Sequence, residues 1–249
     1  MLEIQGLMKS FQGVHALEDV SLAIEPGEVV GLIGPNGSGK TTLFNCLTGF
    51  VRPEAGTVRF QGHNISGLPP FRVSRLGLAR TFQSVRLFGK LSATENLVAA
   101  VQEYSGESSL SRLLRTPVVR RHERGARLRA LSLLDRIGLA PHAGSAAEDL
   151  SYGQRKLLSI AMAIMSRPTL LLLDEPTSAV SAGAITVMRD WLRELNDNGQ
   201  TILVIEHNMQ FVMGLSNRVI VLDAGKKIAE GAPAAIRANA EVLKAYLGG

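Results

Sequence analysis

The sequence predicts an α/β fold of the phosphate-loop NTPase class. It should have a parallel-sheet core, an N-terminal antiparallel β subdomain and an inserted helical subdomain. Three observations carry that expectation. The segment GPNGSGKTT, Gly34 to Thr42, follows an apolar strand pattern and opens a helical one. Further along, helical and buried-strand patterns alternate through TLLLLDE, AITVMRDWLRELND and TILVIEH, which implies parallel strands joined by covering helices. Between these regions, from Pro69 to about His142, the periodicity is mostly helical and strand signals are few.

In chain order, Met1 to Ile33 reads as short alternating runs such as ALEDVSLAI and EVVGLIG, a β pattern. After the glycine-rich loop, TTLFNCLTG has helical spacing and ends at Gly49, and GTVRFQG reads as another strand. The helical stretch is entered near LARTF and left near PHAGSA. RVIVLDAGKKIAEG predicts a hairpin around Asp223, Ala224 and Gly225, and PAAIRANAEVLKAYL a closing helix. The chain is expected to form one domain, 1–249. Its core would be 1–84 and 150–231, its helical subdomain 85–149 and its C-terminal helix 232–249.

Composition narrows the class. With 45% hydrophobic residues in 249, a substantial core is within reach. No run of about 18 apolar residues spans a bilayer, and the start, MLEIQGLMKSF, lacks the apolar stretch of a signal peptide. The single cysteine, Cys46, excludes an internal disulfide and fits a reducing compartment, so the expectation is a cytosolic chain. The net charge of +5 suits an anionic ligand or surface without choosing one. Arg112, Arg115, Arg120, Arg121, Arg124, Arg127 and Arg129 crowd one stretch, read first as a solvated helix face and second as a contact for lipid headgroups. No aromatics are interleaved there for stacking bases, so no nucleic-acid partner is expected.

The chemistry starts at the loop. Gly34, Pro35, Asn36, Gly37, Ser38, Gly39, Lys40, Thr41 and Thr42 have the order that wraps backbone N–H groups around a β-phosphate. Lys40 would neutralise the β- and γ-phosphates and the Thr41 hydroxyl would ligate magnesium. TLLLLDE delivers Asp174 to that magnesium as a hard oxygen ligand. Glu175, next along, is placed to orient or deprotonate the attacking water; a helix N-terminal charge is the plainer reading. His207 closes the strand TILVIEH, where it could hydrogen-bond the γ-phosphate or simply be a satisfied core histidine. A second device follows at LSYGQRK, Leu150 to Lys156, where a serine opens a helical pattern as at an anion-binding helix start.

GPNGSGKTT, Gln83 in RTFQSVRLF, LSYGQRK, LLLLDEPTS and the pair Glu206–His207 occur in one order over nearly the whole chain. Together they resemble the ATP-binding cassette of an ABC transporter. The resemblance implies that two cassettes pack head to tail, each clamping ATP between one phosphate loop and the other's signature. Ser151, Tyr152, Gly153 and Gln154 would then serve the partner's ATP. It further implies that Gln83 contacts magnesium and the water, and that Phe11 stacks on adenine where the residues alone read as strand core. TFQSVRLFGKLSATENLVAA, the insert around LSRLLRTPVVRRHE and the ending EGAPAAIRANAEVLKAYLGG resemble the branched-chain amino acid importer ATPases. Members of this group also serve urea, amides and aromatic acids. Such subunits work with a second ATPase, two integral membrane permeases and an extracytoplasmic solute-binding protein, at the cytoplasmic face of the membrane.

Two segments depart from the family. Tyr152 stands where glycine is usual, and Ser181 where aspartate or asparagine is usual, with Ala182 in place of a frequent proline. The alternative is a soluble ABC-type ATPase of DNA repair, ribosome work or Fe–S assembly. The first two usually carry two cassettes or a long coiled-coil insertion, which this sequence lacks, and the importer-like ending disfavours the third. A nucleotide kinase would need a second substrate pocket and lid, for which there is no signal.

Overall fold

The structure, a computed structural model, describes residues 1–101 and 117–247. It divides into two compact units. The first comprises Met1–Arg80, Thr169–Thr177 and Leu192–Gly249, and the second Thr81–Pro168 and Ser178–Trp191.

The first unit holds two sheets, as the sequence pattern requires. β1 (Leu2–Phe11), β2 (Val14–Ile24), β4 (Ala55–Phe60) and β5 (His63–Asn64) form an antiparallel sheet in the order β2-β1-β4-β5. The second sheet runs β10-β9-β3-β8-β7-β6. Here β3 is Val29–Ile33, β6 Leu78–Arg80, β7 Leu170–Asp174, β8 Thr201–Ile205, β9 Arg218–Asp223 and β10 Lys226–Gly231. All its pairings are parallel except β9 with β10. β3, β7 and β8 are buried at every position, which is why their sequences are unbroken apolar runs rather than alternations. β9 turns into β10 through Ala224 (φ 41°) and Gly225 (φ 81°), two positive-φ residues of the kind a two-residue hairpin needs.

α1 (Lys40–Leu47) turns Leu43, Phe44 and Leu47 into the main core, with Leu32, Leu172 and Leu203 of the parallel sheet and Leu2, Leu17 and Phe60 of the antiparallel one. Phe44 is fully buried, and truncating such a ring costs about 3–5 kcal/mol. α1 is thereby clamped at the carboxyl ends of parallel strands, where open α/β sheets bind ligands. A smaller cluster joins Ile33 and Val221 to α7 (Met209–Leu215) through Val212.

One expected element is broken. The segment from 232 reads as a single closing helix, but the structure makes two, α8 (Pro233–Arg237) and α9 (Ala240–Leu247). The Asn239 carboxamide oxygen accepts from the N–H groups of Glu241 (2.8 Å) and Val242 (3.3 Å), so it starts a second helix instead of continuing the first.

The second unit is helical: α3 (Ala93–Ala99), α4 (Pro117–Arg136) and α5 (Tyr152–Met165) pack on one another. It reaches past the stretch 85–149 because α5 rests on both α3 and α4. Ser92 and Glu95 form a capping box at the head of α3. Buried Asn96 accepts from Phe88 N–H and donates to the carbonyls of Phe88, Leu91 and Ser92, fixing the preceding loop. Of the arginine stretch, Arg120, Arg121, Arg124 and Arg127 are exposed on α4 and Arg129 is half-buried, while Arg112 and Arg115 lie outside the described residues. Among the described residues no helix is long and apolar enough to cross a membrane.

Candidate functional site

The phosphate loop joins β3 to α1. Lys40, 6% exposed, curls back to donate to the carbonyls of Gly34 and Pro35 (2.8 Å each) and to Ser38 Oγ (3.2 Å). Burial lowers its pKa by penalising the ammonium, and the charges of Glu175 and Asp174 oppose that. A buried cation facing an open loop is a fit for an anion. Two glycines are obligatory here. A Cβ on Gly34 (φ 152°) would lie 2.0 Å from the Leu222 carbonyl oxygen, and one on Gly39 (φ 102°) 2.3 Å from that of Ala16.

Around the loop lies a cavity of about 170 Å³, lined by Ala16, residues 36–42, Glu175 and His207. The carboxyl ends of β7 and β8 deliver the last two. Asp174 pairs with Ile205 in register, and the Glu175 N–H donates to the Ile205 carbonyl at 2.9 Å. Glu175 has a left-handed backbone (φ 46°), an uncommon and costly state for a non-glycine residue that active sites often hold. Its Oε1 lies 3.1 Å from His207 Nε2. His207 is therefore no core histidine; its side chain is 40% exposed and faces the carboxylate.

Phe11 ends β1 opposite Val14, on the hairpin whose other arm carries Ala16 to the loop. At 47% exposure it is not a strand core residue, and Lys9 Nζ sits 5.1 Å from its ring centre. Thr41 is exposed at the head of α1. Asp174 is buried, and its Oδ2 accepts from Arg80 at 2.7 Å. The donors suit magnesium, which needs only one or two protein oxygens when phosphates supply others.

Gln83 and the signature lie in the second unit. Ser151 caps α5, accepting from Gln154 N–H (3.3 Å) while its own N–H donates to Gln154 Oε1 (2.8 Å). The Gln154 amide is thereby taken; the Ser151 hydroxyl proton and the first amides of the helix are what could serve an anion. A Cβ on Gly153 would press on Ala184 Cβ at 3.2 Å, so glycine lets α6 (Ala182–Asp197) begin close by. Tyr152 lines a cleft of about 340 Å³ with Ser84, Val85, Leu87 and Arg155. Buried Lys156 donates to the Gln83 carbonyl at 2.8 Å, tying the signature helix to that segment.

Three contributors were given no role by the sequence, although Glu206 stands in one of the motifs named above. Glu206, 2% exposed, accepts from the N–H groups of Thr177 (2.6 Å), His207 (3.0 Å) and Asn208 (3.1 Å), binding the loops after β7 and β8 together. Its signal was an acid inside an apolar strand ending. Arg80 had none beyond its charge. The Tyr246 phenol on α9 is pushed up by burial, and the Gly34 backbone of the phosphate loop opposes that shift.

A phosphate loop, an acidic strand end with a glutamate–histidine pair and a capped signature helix define an ABC-type ATPase. The chain belongs to the ABC transporter family, whose model matches residues 17–178. A second model, of branched-chain amino acid ATP-binding cassette transporters, matches residues 226–249. The chain is 43% identical over 249 residues, all of this chain and 98% of the other, to the high-affinity branched-chain amino acid transport ATP-binding protein LivG of Escherichia coli K12. An ABC transporter cassette solved in its ADP conformation superposes with a TM-score of 0.86 at 31% identity, covering 100% of this chain and 99% of that one. A dimeric cassette in a post-hydrolysis state with ADP and phosphate gives 0.79 at 26% identity, covering 94% and 99%. The protein is an ATP-binding, ATP-hydrolysing subunit of this family.

Proposed function

We propose that this subunit drives an importer for branched-chain amino acids or related small polar solutes. In that reading two cassettes close head to tail on ATP, at the cytoplasmic face of a membrane. They drive two permeases fed by an extracytoplasmic binding protein, and the partner cassette is a second ATPase subunit, either another copy of this chain or a different chain of the same class. The relatives' names and the matching C-terminal segment support the substrate class.

The carrying observation is Glu175, held in its left-handed turn at the phosphate-loop cavity and oriented by His207. Lys40 and the loop amides would hold the β- and γ-phosphates, Phe11 the adenine. Thr41 and Asp174 would hold magnesium, which when bound would neutralise developing charge on the phosphates. Glu175 Oε2 or Oε1 would take the proton of the attacking water, with His207 fixing the carboxylate. Ser151 and the first amides of α5 would close on the partner's γ-phosphate.

Glu175→Gln keeps the shape but cannot accept the proton. It should bind ATP, lose hydrolysis and accumulate an ATP-dependent dimer in sedimentation, alone or with a partner cassette. Ser151→Arg, which leaves this chain's own loop intact, should bind ATP and stay monomeric. Hydrolysis at the parent rate by Glu175→Gln, or normal dimerisation of Ser151→Arg, overturns the assignment.

A further inference from the structure

The geometry points to Arg80 as a positioning residue that aims Asp174 at the metal of the nucleotide site, an inference that rests on the site reading above. Arg80 ends β6, beside β7. One guanidinium nitrogen donates to Asp174 Oδ2 at 2.7 Å, and both side chains are only 7% exposed. The other reaches α1, donating to Asn45 Oδ1 (2.7 Å) and Thr48 Oγ1 (3.2 Å), with the guanidinium 5.5 Å from the Phe44 ring centre. α1 is the helix that Lys40 and Thr41 begin. Arg80 therefore fixes the acidic strand end against the same rigid element that carries the phosphate loop's own ligands.

Stability alone is a weak reason for such a pair. Burying two charges costs solvation that their attraction only roughly repays, and apolar replacements are often neutral or better. Orientation is a stronger reason. A carboxylate with one oxygen pinned by a rigid fork presents its remaining lone pairs in one direction, the task that groups behind metal ligands perform. Removing the fork should leave the loop's grip on phosphate intact and weaken the metal's hold.

The test uses the full chain carrying Glu175→Gln, so that ATP persists, with Mn2+ as the spectroscopic probe of the metal site. Arg80→Lys keeps the charge and loses the fork. With saturating ATP its Mn2+ affinity, read by electron paramagnetic resonance, should fall about tenfold, while ATP affinity in EDTA stays unchanged. In an Asp174→Asn background the same Arg80→Lys change should have no further effect, since Arg80 acts through that carboxylate. Arg218→Lys, which disturbs the distant ion pair of Arg218 with Glu28, serves as the control and should leave Mn2+ affinity alone. Should Arg80→Lys fail to fold, Asn45→Ala loosens Arg80 from α1 without stranding a charge, and a smaller loss in the same direction is expected. Unchanged Mn2+ affinity in the folded variant, or an equal loss with and without Asp174, overturns the inference. Absence of any ATP-dependent Mn2+ binding by the parent would instead overturn the site reading itself.

Discussion

Replacing Lys40 by methionine should separate nucleotide affinity from folding. In the free protein the ammonium makes three hydrogen bonds, to two carbonyls at 2.8 Å and one hydroxyl at 3.2 Å. At about 0.5–1.5 kcal/mol net each, these are worth about 1.5–4.5 kcal/mol. Against that stands the cost of holding a 94%-buried cation, visible in the lowered pKa, which methionine does not incur. The two nearly cancel, so Tm should move by no more than about 4 °C in either direction. With phosphate present the balance changes, because Lys40 then meets full negative charge in a dry site. Losing one partner of such a pair costs about 2–5 kcal/mol, or roughly 30- to 4000-fold in affinity at about 1.4 kcal/mol per decade. Calorimetric titration with ATP and thermal unfolding of the same preparation measure both. ATP binding within a factor of about two of the parent, or lost binding explained by an unfolded variant, would refute the reasoning.

Two further outcomes follow from the first unit. Phe11→Ala should weaken ATP by about 1–3 kcal/mol, as for other base–aromatic platforms, with unchanged Tm because the ring is already half exposed; ATP bound as tightly as by the parent shows that Phe11 does not stack. Burial alone would raise the Glu28 pKa, but the Arg218 fork (2.7 and 2.8 Å) and the Glu25 amide outweigh it and hold the carboxyl below its ordinary 4.5. A depressed acid stabilises the fold above its ordinary pKa and loses that contribution as pH falls through the lower, folded value. Glu28→Gln should therefore cost about 1.5–3 kcal/mol at pH 7 and show a shallower loss of stability below pH 4.5, measured by urea unfolding across that range. Parallel acid limbs for parent and variant would contradict this.

What could be read from the sequence was what is local in the chain. The phosphate loop is contiguous and its neighbours announce a strand and a helix, so Gly34, Lys40 and Thr41 needed no tertiary knowledge. The parallel strands were legible because burial on both faces demands unbroken apolar runs, and the β9–β10 hairpin because Gly225 marks its turn with a residue that takes positive φ freely. Asn239 was local too, yet its capping bonds were hidden inside a helical period that ran across it. Tertiary structure decided the rest. Arg80 finds Asp174 94 positions away and Glu206 finds Thr177 across 29, and only the packing of β6, β7 and β8 side by side closes those gaps. It also took Phe11 out of the core and gave α5 to the helical unit. A side chain's type fixes which bonds it can make, but for these residues the partner is chosen by strand order and helix packing, which pattern in one dimension does not record.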